Sequence, residues 1–227
     1  MIFEDMDRIV FAGDSVTDMG SPTPVSEGPW DNNLGDGYVR QVYALLGACY
    51  PEIRLRITNS GVSGNTSRDL LERFDRDVLS LNANWVSIMI GINDVWRFYD
   101  TPGMADIQVS EEEYGNNLTK MITDLKKQPQ LKGIFVMSPV FMDINLEDIM
   151  RRKHESYRQV CEKVAKENDT IYIDVQSEIN EYLKTRPATF IAPDRVHPNP
   201  VGNVLIARAF LDAAGFDYEH RCREING

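Results

Sequence analysis

Residues 8–12 read RIVFA, a compact apolar run that ends in Gly13 and is the first of a repeating pattern. Comparable strand candidates follow at residues 53–58 (IRLRIT), 85–90 (WVSIMI), 133–137 (GIFVM) and 171–175 (IYIDV). The second candidate alternates strictly, as a half-exposed strand does, whereas WVSIMI is typical of a buried strand. Segments with apolar residues at helical spacing lie between these runs. Strands that alternate with helices indicate a parallel sheet covered by helices on both faces.

Two capping signals place helices within this pattern. Thr66 with Asp69 resembles a capping box and predicts a helix that extends to about residue 81, and Ser110 with Glu113 predicts another to about residue 127. Further helices are predicted at residues 38–47, 148–168, 179–184 and 200–214. The pattern predicts a three-layer α/β/α domain with a five-stranded parallel sheet in the flavodoxin-like order 2-1-3-4-5.

Length and composition limit the class of protein. The chain has 227 residues, 42% of them hydrophobic, which suits one domain with a core over about residues 8–214 and a polar tail at 218–227. A formal net charge of −11 repels phosphate backbones and anionic headgroups, so neither nucleic acid nor a membrane surface is an expected partner.

The termini and cysteines indicate a cytoplasmic location. No basic segment precedes an apolar stretch near Met1, so no signal peptide is expected, and no apolar run approaches the roughly 20 residues that span a bilayer. The three cysteines, Cys49, Cys161 and Cys222, are widely spaced and are expected to be reduced thiols.

Ser15 follows the first strand directly, where ligands bind in sheets of this kind, and it needs a base to act as a nucleophile. Of the three histidines, His154 lies among cations on a charged helix and His220 lies in the tail, so both are expected on the surface. His197 remains, in a loop that prolines stiffen before the last helix. Ser15 with His197 is therefore the candidate nucleophile and base.

Acyl transfer also needs an acceptor that orients the base and donors for an oxyanion. Asp194 lies three residues before His197 and can meet it within one turn of chain, while Asp174 is the rival orienter. The Ser15 backbone N–H, Gly64 and the Asn93 amide all follow strand ends and are candidate oxyanion donors.

Competing motifs are absent from the sequence. It contains no G-x-S-x-G elbow, no dinucleotide-binding or P-loop glycine pattern and no zinc-like His/Cys spacing. The acidic residues at strand ends are scattered and fit loop hydrogen bonds better than a magnesium site; they are Asp14, Asp18, Asp94 and Asp143. The sequence thus predicts neither a metal nor a cofactor.

Taken in order, these blocks resemble the SGNH or GDSL hydrolases. The blocks are GDS at 13–15, Gly64, GIND at 91–94 and DRVH at 194–197, and the resemblance spans about residues 8–214. It implies Ser15 as nucleophile, His197 as base, Asp194 as its orienter, and Gly64 and Asn93 as oxyanion donors beside the Ser15 amide.

A narrower resemblance is to the intracellular serine acetylxylan esterases of that superfamily. The stretches ITNSGVSGNTSRDL, WVSIMIGINDVWRFYD and APDRVHPNPVGNVLIARAFL carry it, and it implies deacetylation of xylo-oligosaccharides by a homo-oligomer. Candidate substrate contacts are Trp30, Trp96 and Tyr99, whose rings could stack on a sugar, and Arg97. Two alternatives stay open: a thioesterase or lipase for longer acyl chains, and a sugar-binding module without turnover.

Overall fold

The computed structural model describes residues 1–220. Its strands are β1 (Arg8–Gly13), β2 (Ser26–Glu27), β3 (Arg56–Gly61), β4 (Trp85–Met89), β5 (Gly133–Met137) and β6 (Ile171–Ile173). Its helices are α1 (Ser15–Asp18), α2 (Tyr38–Cys49), α3 (Ser67–Asp77), α4 (Ile92–Asp100), α5 (Glu111–Leu125), α6 (Ile149–Glu167), α7 (Val175–Leu183) and α8 (Pro200–Ala213). Cys222 and most of the predicted tail lie outside the described residues.

The sheet has six strands in the order β2-β3-β1-β4-β5-β6. The three-layer α/β/α fold is as predicted, but the prediction of a five-stranded sheet is wrong: a sixth strand is present, and the five predicted strands keep their expected relative order beside it, β3-β1-β4-β5-β6. The additional strand, β2, pairs antiparallel with β3 through only two residues, Ser26 opposite Asn59 and Glu27 opposite Thr58. Two residues are too few to produce a recognisable alternation, so the loop sequence gave no signal for this strand.

The position of β3 also differs from the expectation. The strand covers Arg56–Gly61 rather than residues 53–58, and every residue after Arg56 is buried. The polar side chains of Asn59 and Ser60 are therefore inside the protein, where they bond to neighbouring loops and to helix α3. Strict alternation of polar and apolar residues is a poor guide to a strand whose buried polar groups are satisfied in this way.

Two apolar cores cover the two faces of the sheet. Alternate residues of β1 point to opposite sides, so that Phe11 packs in the core under α2, α7 and α8, while Val10 and Ala12 pack in the core under α3 to α6. The capping box of Thr66 and Asp69 begins α3 as predicted. Within residues 1–220, none of the helices is long and apolar enough to cross a membrane.

The carboxyl ends of the three central strands lie side by side. Gly13 at the end of β1 pairs with Gly61 of β3 on one side and with Met89 of β4 on the other. The segments that follow these strands contain Ser15, Gly64 and Asn93, respectively. The register of the sheet therefore brings the predicted nucleophile and both predicted oxyanion donors to one edge of the sheet.

Candidate active site

Ser15 begins helix α1 immediately after β1 and is half-buried. The preceding Asp14 caps this helix, and its carboxylate accepts a hydrogen bond from the Val16 N–H at 2.9 Å. Gly13 allows the tight turn, since a Cβ there would lie 2.4 Å from the Met89 carbonyl oxygen. The turn from strand to helix thus fixes the position of the serine with respect to two strands.

Ser15, His197 and Asp194 form a continuous chain of hydrogen bonds. The Ser15 Oγ lies 2.8 Å from His197 Nε2, and His197 Nδ1 lies 2.6 Å from Asp194 Oδ2. With a proton on Nδ1, the imidazole accepts at Nε2, which is the tautomer that can remove the serine proton. The geometry therefore brings together the three residues that the sequence singled out.

Asp194 also organises the backbone of its own loop. Its Oδ1 atom accepts from the His197 N–H at 2.8 Å and from the Val196 N–H at 3.0 Å. Partial burial acts to raise the pKa of Asp194, but the hydrogen bonds from His197 outweigh it and hold the pKa below its ordinary value. The carboxylate thus stays ionised and available to the imidazole.

Arg195 ties this loop to the segment after β5. Its Nη1 atom lies 2.8 Å from Asp143 Oδ2 and 2.9 Å from Asp148 Oδ2. Its backbone adopts the left-handed region, with φ of 66°, and its carbonyl accepts from the Met142 N–H at 2.8 Å. These contacts hold a residue in a strained conformation between the two members of the Asp194–His197 pair.

The two predicted oxyanion donors lie on connected segments. Gly64 has φ of +83°, a conformation that favours glycine. Asn93 is the second residue of α4 and is buried, and its Nδ2 donates to the Asn65 carbonyl oxygen at 2.9 Å. That bond uses one of the two amide hydrogens. The sequence placed Asn93 in a loop and did not predict helix α4.

Two buried carboxyl groups flank the site. Burial raises the pKa of Asp14 to about 7 and that of Asp94 to about 6. Asp94 accepts hydrogen bonds from the Ser67 N–H at 2.9 Å and from the Ser67 hydroxyl. Among the residues that the structure describes, no group of three His, Cys, Asp or Glu could hold a metal ion.

The predicted substrate contacts divide into two pairs. The Trp96 ring lies 6.0 Å from the His197 ring, and Arg97 Nη2 lies 3.4 Å from the Gly64 carbonyl oxygen, so both border the site. Tyr99 instead donates its hydroxyl to the Ile149 carbonyl oxygen at 3.0 Å, and Trp30 is 76% exposed in the turn after β2. In the described part of the chain, neither Tyr99 nor Trp30 forms a hydrogen bond or a ring contact with Ser15 or His197.

The remaining candidates have other partners. Asp174, the rival orienter, caps helix α7 and pairs with Arg158 at 2.7 Å. His154 is fully buried, which contradicts the expected surface position: its Nε2 lies 3.0 Å from the Pro139 carbonyl oxygen, and burial lowers its pKa to about 3. Arg151, one turn earlier on α6, is buried beside it, with Nη1 3.4 Å from His154 Nδ1. His220 stacks on Tyr50 with 4.0 Å between ring centres.

The sequence analysis did not identify Arg73 and Asn65, two residues whose hydrogen bonds connect the parts of the site. Arg73 on α3 is buried and bonds to the end of β1 and to Asn65, whose carbonyl accepts from Asn93. A charged residue within a helical pattern is ordinarily read as solvent-exposed, and only the three-dimensional structure shows otherwise. The one signal in the sequence was Asn65, a polar residue directly after Gly64 that could bond to neighbouring segments.

Comparisons with known proteins agree with this geometry. Residues 11–205 match the GDSL-like lipase/acylhydrolase family. The chain belongs to that family. It is 44% identical over 212 residues to an acetylxylan esterase from Geobacillus stearothermophilus, covering 93% of this chain and 95% of the relative.

Solved structures extend the comparison to the whole fold. The crystal structure of Axe2, an acetylxylan esterase from Geobacillus stearothermophilus, matches with a TM-score of 0.93 and 43% identity, covering 98% of this chain and 100% of the other. An α/β hydrolase from the metagenome of Lake Arreo, Spain, matches with a TM-score of 0.90 and 40% identity over 95% of this chain and 98% of its own. The similarity to these proteins therefore covers the fold of nearly the whole chain as well as its sequence.

Proposed function

We propose that this protein is a serine carboxylesterase that removes acetyl groups from carbohydrate, with acetylated xylo-oligosaccharides as its substrate class. The observation that carries the proposal is the hydrogen-bonded chain from Ser15 Oγ through His197 to Asp194. The 44% identity to an acetylxylan esterase supports the substrate class. The family supports the reaction type, ester hydrolysis, independently of the substrate.

In this mechanism Ser15 attacks the acetyl carbonyl carbon while His197 Nε2 takes the hydroxyl proton. The carbonyl oxygen becomes an oxyanion, and the C–O bond to the sugar breaks as His197 returns the proton to the leaving hydroxyl. Water then attacks the acetyl-serine with His197 again as base, which releases acetate and restores the serine. Asp194 keeps the imidazole in the required tautomer and stabilises its protonated form.

The oxyanion is held by the backbone N–H groups of Ser15 and Gly64 and by the Asn93 side-chain amide. Donors fixed in advance cost no reorganisation when charge develops, so each one contributes most in the transition state. The positive φ of Gly64 and the bond from Asn93 to the Asn65 carbonyl support this role, because both fix the direction of a donor.

The substrate side of the site has less support than the reacting side. Trp96 lies close enough to His197 to offer an aromatic face to a sugar, and the polar surface of Arg97 lies beside Gly64. We propose these two residues as substrate contacts. Tyr99 and Trp30 are proposed only as contacts with more distant parts of an oligosaccharide.

Acetate release from a panel of acetylated xylo-oligosaccharides tests the function, with Ser15→Ala as the decisive variant. We expect Ser15→Ala to lower kcat by about 10⁴-fold or more, as loss of an activated nucleophile does. Ser80→Ala, at an exposed serine elsewhere, is the matched control and should retain full activity. Full hydrolysis by Ser15→Ala would overturn the mechanism.

A chain-length series of aryl esters tests the acyl specificity, because the family also includes lipases. The proposal expects the highest kcat/KM for acetate and a steady fall with chain length. A maximum at eight carbons or beyond would instead assign a lipase or thioesterase activity to the same site. Covalent labelling of Ser15 by a serine-directed phosphonate would separate both from a binding module without turnover.

Three further proposals concern the context of the enzyme. We propose a single domain, a cytoplasmic location and a homo-oligomer. Two apolar cores packed on one sheet support the single domain. The location is supported by the widely spaced cysteines and the family resemblance, and the oligomeric state by the resemblance alone. Light scattering at micromolar concentration tests the oligomeric state.

A further inference from the structure

Arg73 is an unusual residue for the interior of this protein. It lies on α3 and only 9% of its surface is exposed. Taking a guanidinium out of water is costly unless its donors are satisfied. Within residues 1–220 its one ionic partner is Asp77 on the same helix, whose carboxylate lies 3.4 Å from Nη1, and most of its hydrogen bonds go to other groups.

Those hydrogen bonds reach two strands and one loop. Nη2 donates to the Gly13 carbonyl oxygen at the end of β1 and to the Ser60 carbonyl oxygen in β3, both at 3.0 Å. Nη1 donates to the Ser60 hydroxyl at 3.2 Å. Nε donates to the Asn65 side-chain oxygen at 2.6 Å. One rigid planar group therefore bonds to three separate segments.

Each of these segments carries part of the reacting site. Gly13 precedes Ser15 by two residues, and Asn65 follows Gly64 directly. The Asn65 carbonyl in turn accepts the hydrogen bond from the Asn93 amide at 2.9 Å. The spacing between nucleophile, Gly64 and Asn93 is thus set from behind by a single side chain.

We propose that Arg73 is a positioning residue for the oxyanion hole: its guanidinium holds the Ser15 turn, the Gly64 loop and, through Asn65, the Asn93 amide at the separations that stabilise the transition state. The inference rests on the proposed function. Because Arg73 lies behind the donors and is not proposed to contact substrate, we expect it to affect the rate of the chemical step and to leave ground-state binding unchanged.

Arg76 provides a matched control on the same helix. It pairs with the same Asp77, at 2.6 Å, but its side chain is 75% exposed and, within residues 1–220, hydrogen-bonds to Asp77 alone. A change at Arg76 therefore removes an ion pair from α3 without touching the Gly13, Ser60 or Asn65 oxygens.

The first experiment compares Arg73→Lys and Arg76→Gln with the parent enzyme on an aryl acetate. Lysine keeps the charge but cannot reach three acceptors with one planar fork. We expect Arg73→Lys to lower kcat by about 10- to 100-fold with KM within about twofold, because a displaced oxyanion donor costs up to 10²–10³. Arg76→Gln should keep both constants. A kcat for Arg73→Lys within threefold of the parent would overturn the inference.

The second experiment separates positioning from general loss of structure. Asn93→Ala removes one of the donors that Arg73 is proposed to hold, so Arg73→Lys should cost less kcat in that background than in the parent. An equal or larger cost in the Asn93→Ala background would show that Arg73 acts independently of the Asn93 amide, and it would overturn the proposal.

A third variant keeps the test available if Arg73→Lys does not fold. Asn65→Ala removes only the acceptor for Arg73 Nε and keeps the backbone carbonyl that Asn93 uses. We expect the same lowered kcat, unchanged KM and reduced effect beside Asn93→Ala. Parent-like kcat in Asn65→Ala would count against the inference. Activity that survives Ser15→Ala would overturn the proposed function instead, so the two failures are distinct.

Discussion

The two halves of the site are held in place by different means. The nucleophile side sits on the central strands, with Asp14 buried and Arg73 bonding to the Gly13 carbonyl from behind. The base side is a loop in which the side chains of His197 and Asp194 are 40% and 45% exposed. The nucleophile side depends on buried contacts with the neighbouring strands and with α3, and the base side depends on hydrogen bonds within its own loop and on the partly exposed ion pairs of Arg195 with Asp143 and Asp148.

We therefore expect the position of Ser15 to be more rigid than that of His197. The position of Ser15 follows from the register of β1 with β3 and β4, which cannot shift without breaking both ladders. The position of His197 follows from two backbone hydrogen bonds to Asp194 and from the ion pairs of Arg195. Changes on the base side should therefore alter catalysis more than stability, and buried changes on the nucleophile side should alter stability as well.

After the loss of Ser15 itself, the largest effect is expected from Asp194→Asn. Asparagine can still accept from the backbone of the loop, but its amide group cannot hold Nδ1–H as a carboxylate does, so the imidazole loses its orientation and tautomer. Replacing a triad aspartate by asparagine costs up to about 10⁴-fold in kcat, and the exposure of Asp194 predicts a loss of about 10²- to 10³-fold. The measurement is kcat on an aryl acetate.

Asp174→Asn is the control for this change, since Asp174 was the rival orienter and bonds to Arg158 and the start of α7. It should leave kcat within about twofold of the parent, the range of an ordinary surface change. The comparison would fail if Asp174→Asn lost as much activity as Asp194→Asn, because the base would then be oriented from a different part of the fold.

The next effect concerns the nucleophile side and the dependence of its stability on pH. Burial raises the pKa of Asp14 to about 7, above the ordinary value of an unfolded aspartate. Between about pH 4 and 7 the folded protein therefore holds a proton that the unfolded chain has lost. The stabilisation from this group is complete below pH 4 and is lost as pH rises through 7.

Asp14→Asn removes this titration while keeping an oxygen that can cap α1. Relative to the parent, the variant should become more stable by on the order of 2–4 kcal/mol between pH 5 and pH 8, measured as the free energy of unfolding. Asp36→Asn, at a carboxylate 72% exposed, should show no such trend. If the free energy of unfolding had the same pH dependence in the parent and in Asp14→Asn, the burial of Asp14 would not be the cause of that dependence.

The smallest effect is expected at Arg195. Arg195→Met removes the ion pairs to Asp143 and Asp148 and should cost about 1 kcal/mol of stability or less, since partly exposed pairs contribute little. It should lower kcat about three- to tenfold because the loop between Asp194 and His197 is held less firmly. Arg152→Met, at an exposed arginine on α6, should change neither stability nor kcat.

Ionic strength sharpens the same comparison. Salt screens partly exposed pairs, so the parent enzyme should lose part of its kcat between low salt and 1 M salt, while Arg195→Met should be less sensitive. Equal salt dependence in both proteins would mean that Arg195 does not act through its ion pairs.

The sequence predicted which residues meet at the candidate site better than it predicted the frame around them. Ser15, His197 and Asp194 were singled out because the chain has few histidines, because Ser15 follows a strand end and because Asp194 lies three residues before His197. The apolar strands β1, β4 and β5 were found for a related reason, since a short uninterrupted apolar run has one dominant environment, the centre of a sheet. In each case the deciding signal was local in the sequence.

The missed features depend on contacts that are remote in the sequence. The burial of Arg73 is compensated by oxygens from Gly13, Ser60 and Asn65, and that of His154 by the Pro139 carbonyl. No local pattern reveals such partners, because the same residues on a helix are ordinarily solvent-exposed. Strand β2 and helix α4 were missed because a two-residue strand and a nine-residue helix beside glycine carry little periodic signal.

The short strand β2 also affects how this molecule can meet other molecules. Glu27 lies on it and pairs with Arg8 and Arg56 of the neighbouring strands, so this edge of the sheet carries opposing charges instead of a bare backbone. The other edge strand, β6, has only three residues. Short, charged borders discourage the addition of a foreign strand, a common first step of aggregation. Copies of this chain are therefore expected to associate through helices and loops. Even in a concentrated solution, we do not expect the sheets of neighbouring copies to join edge to edge.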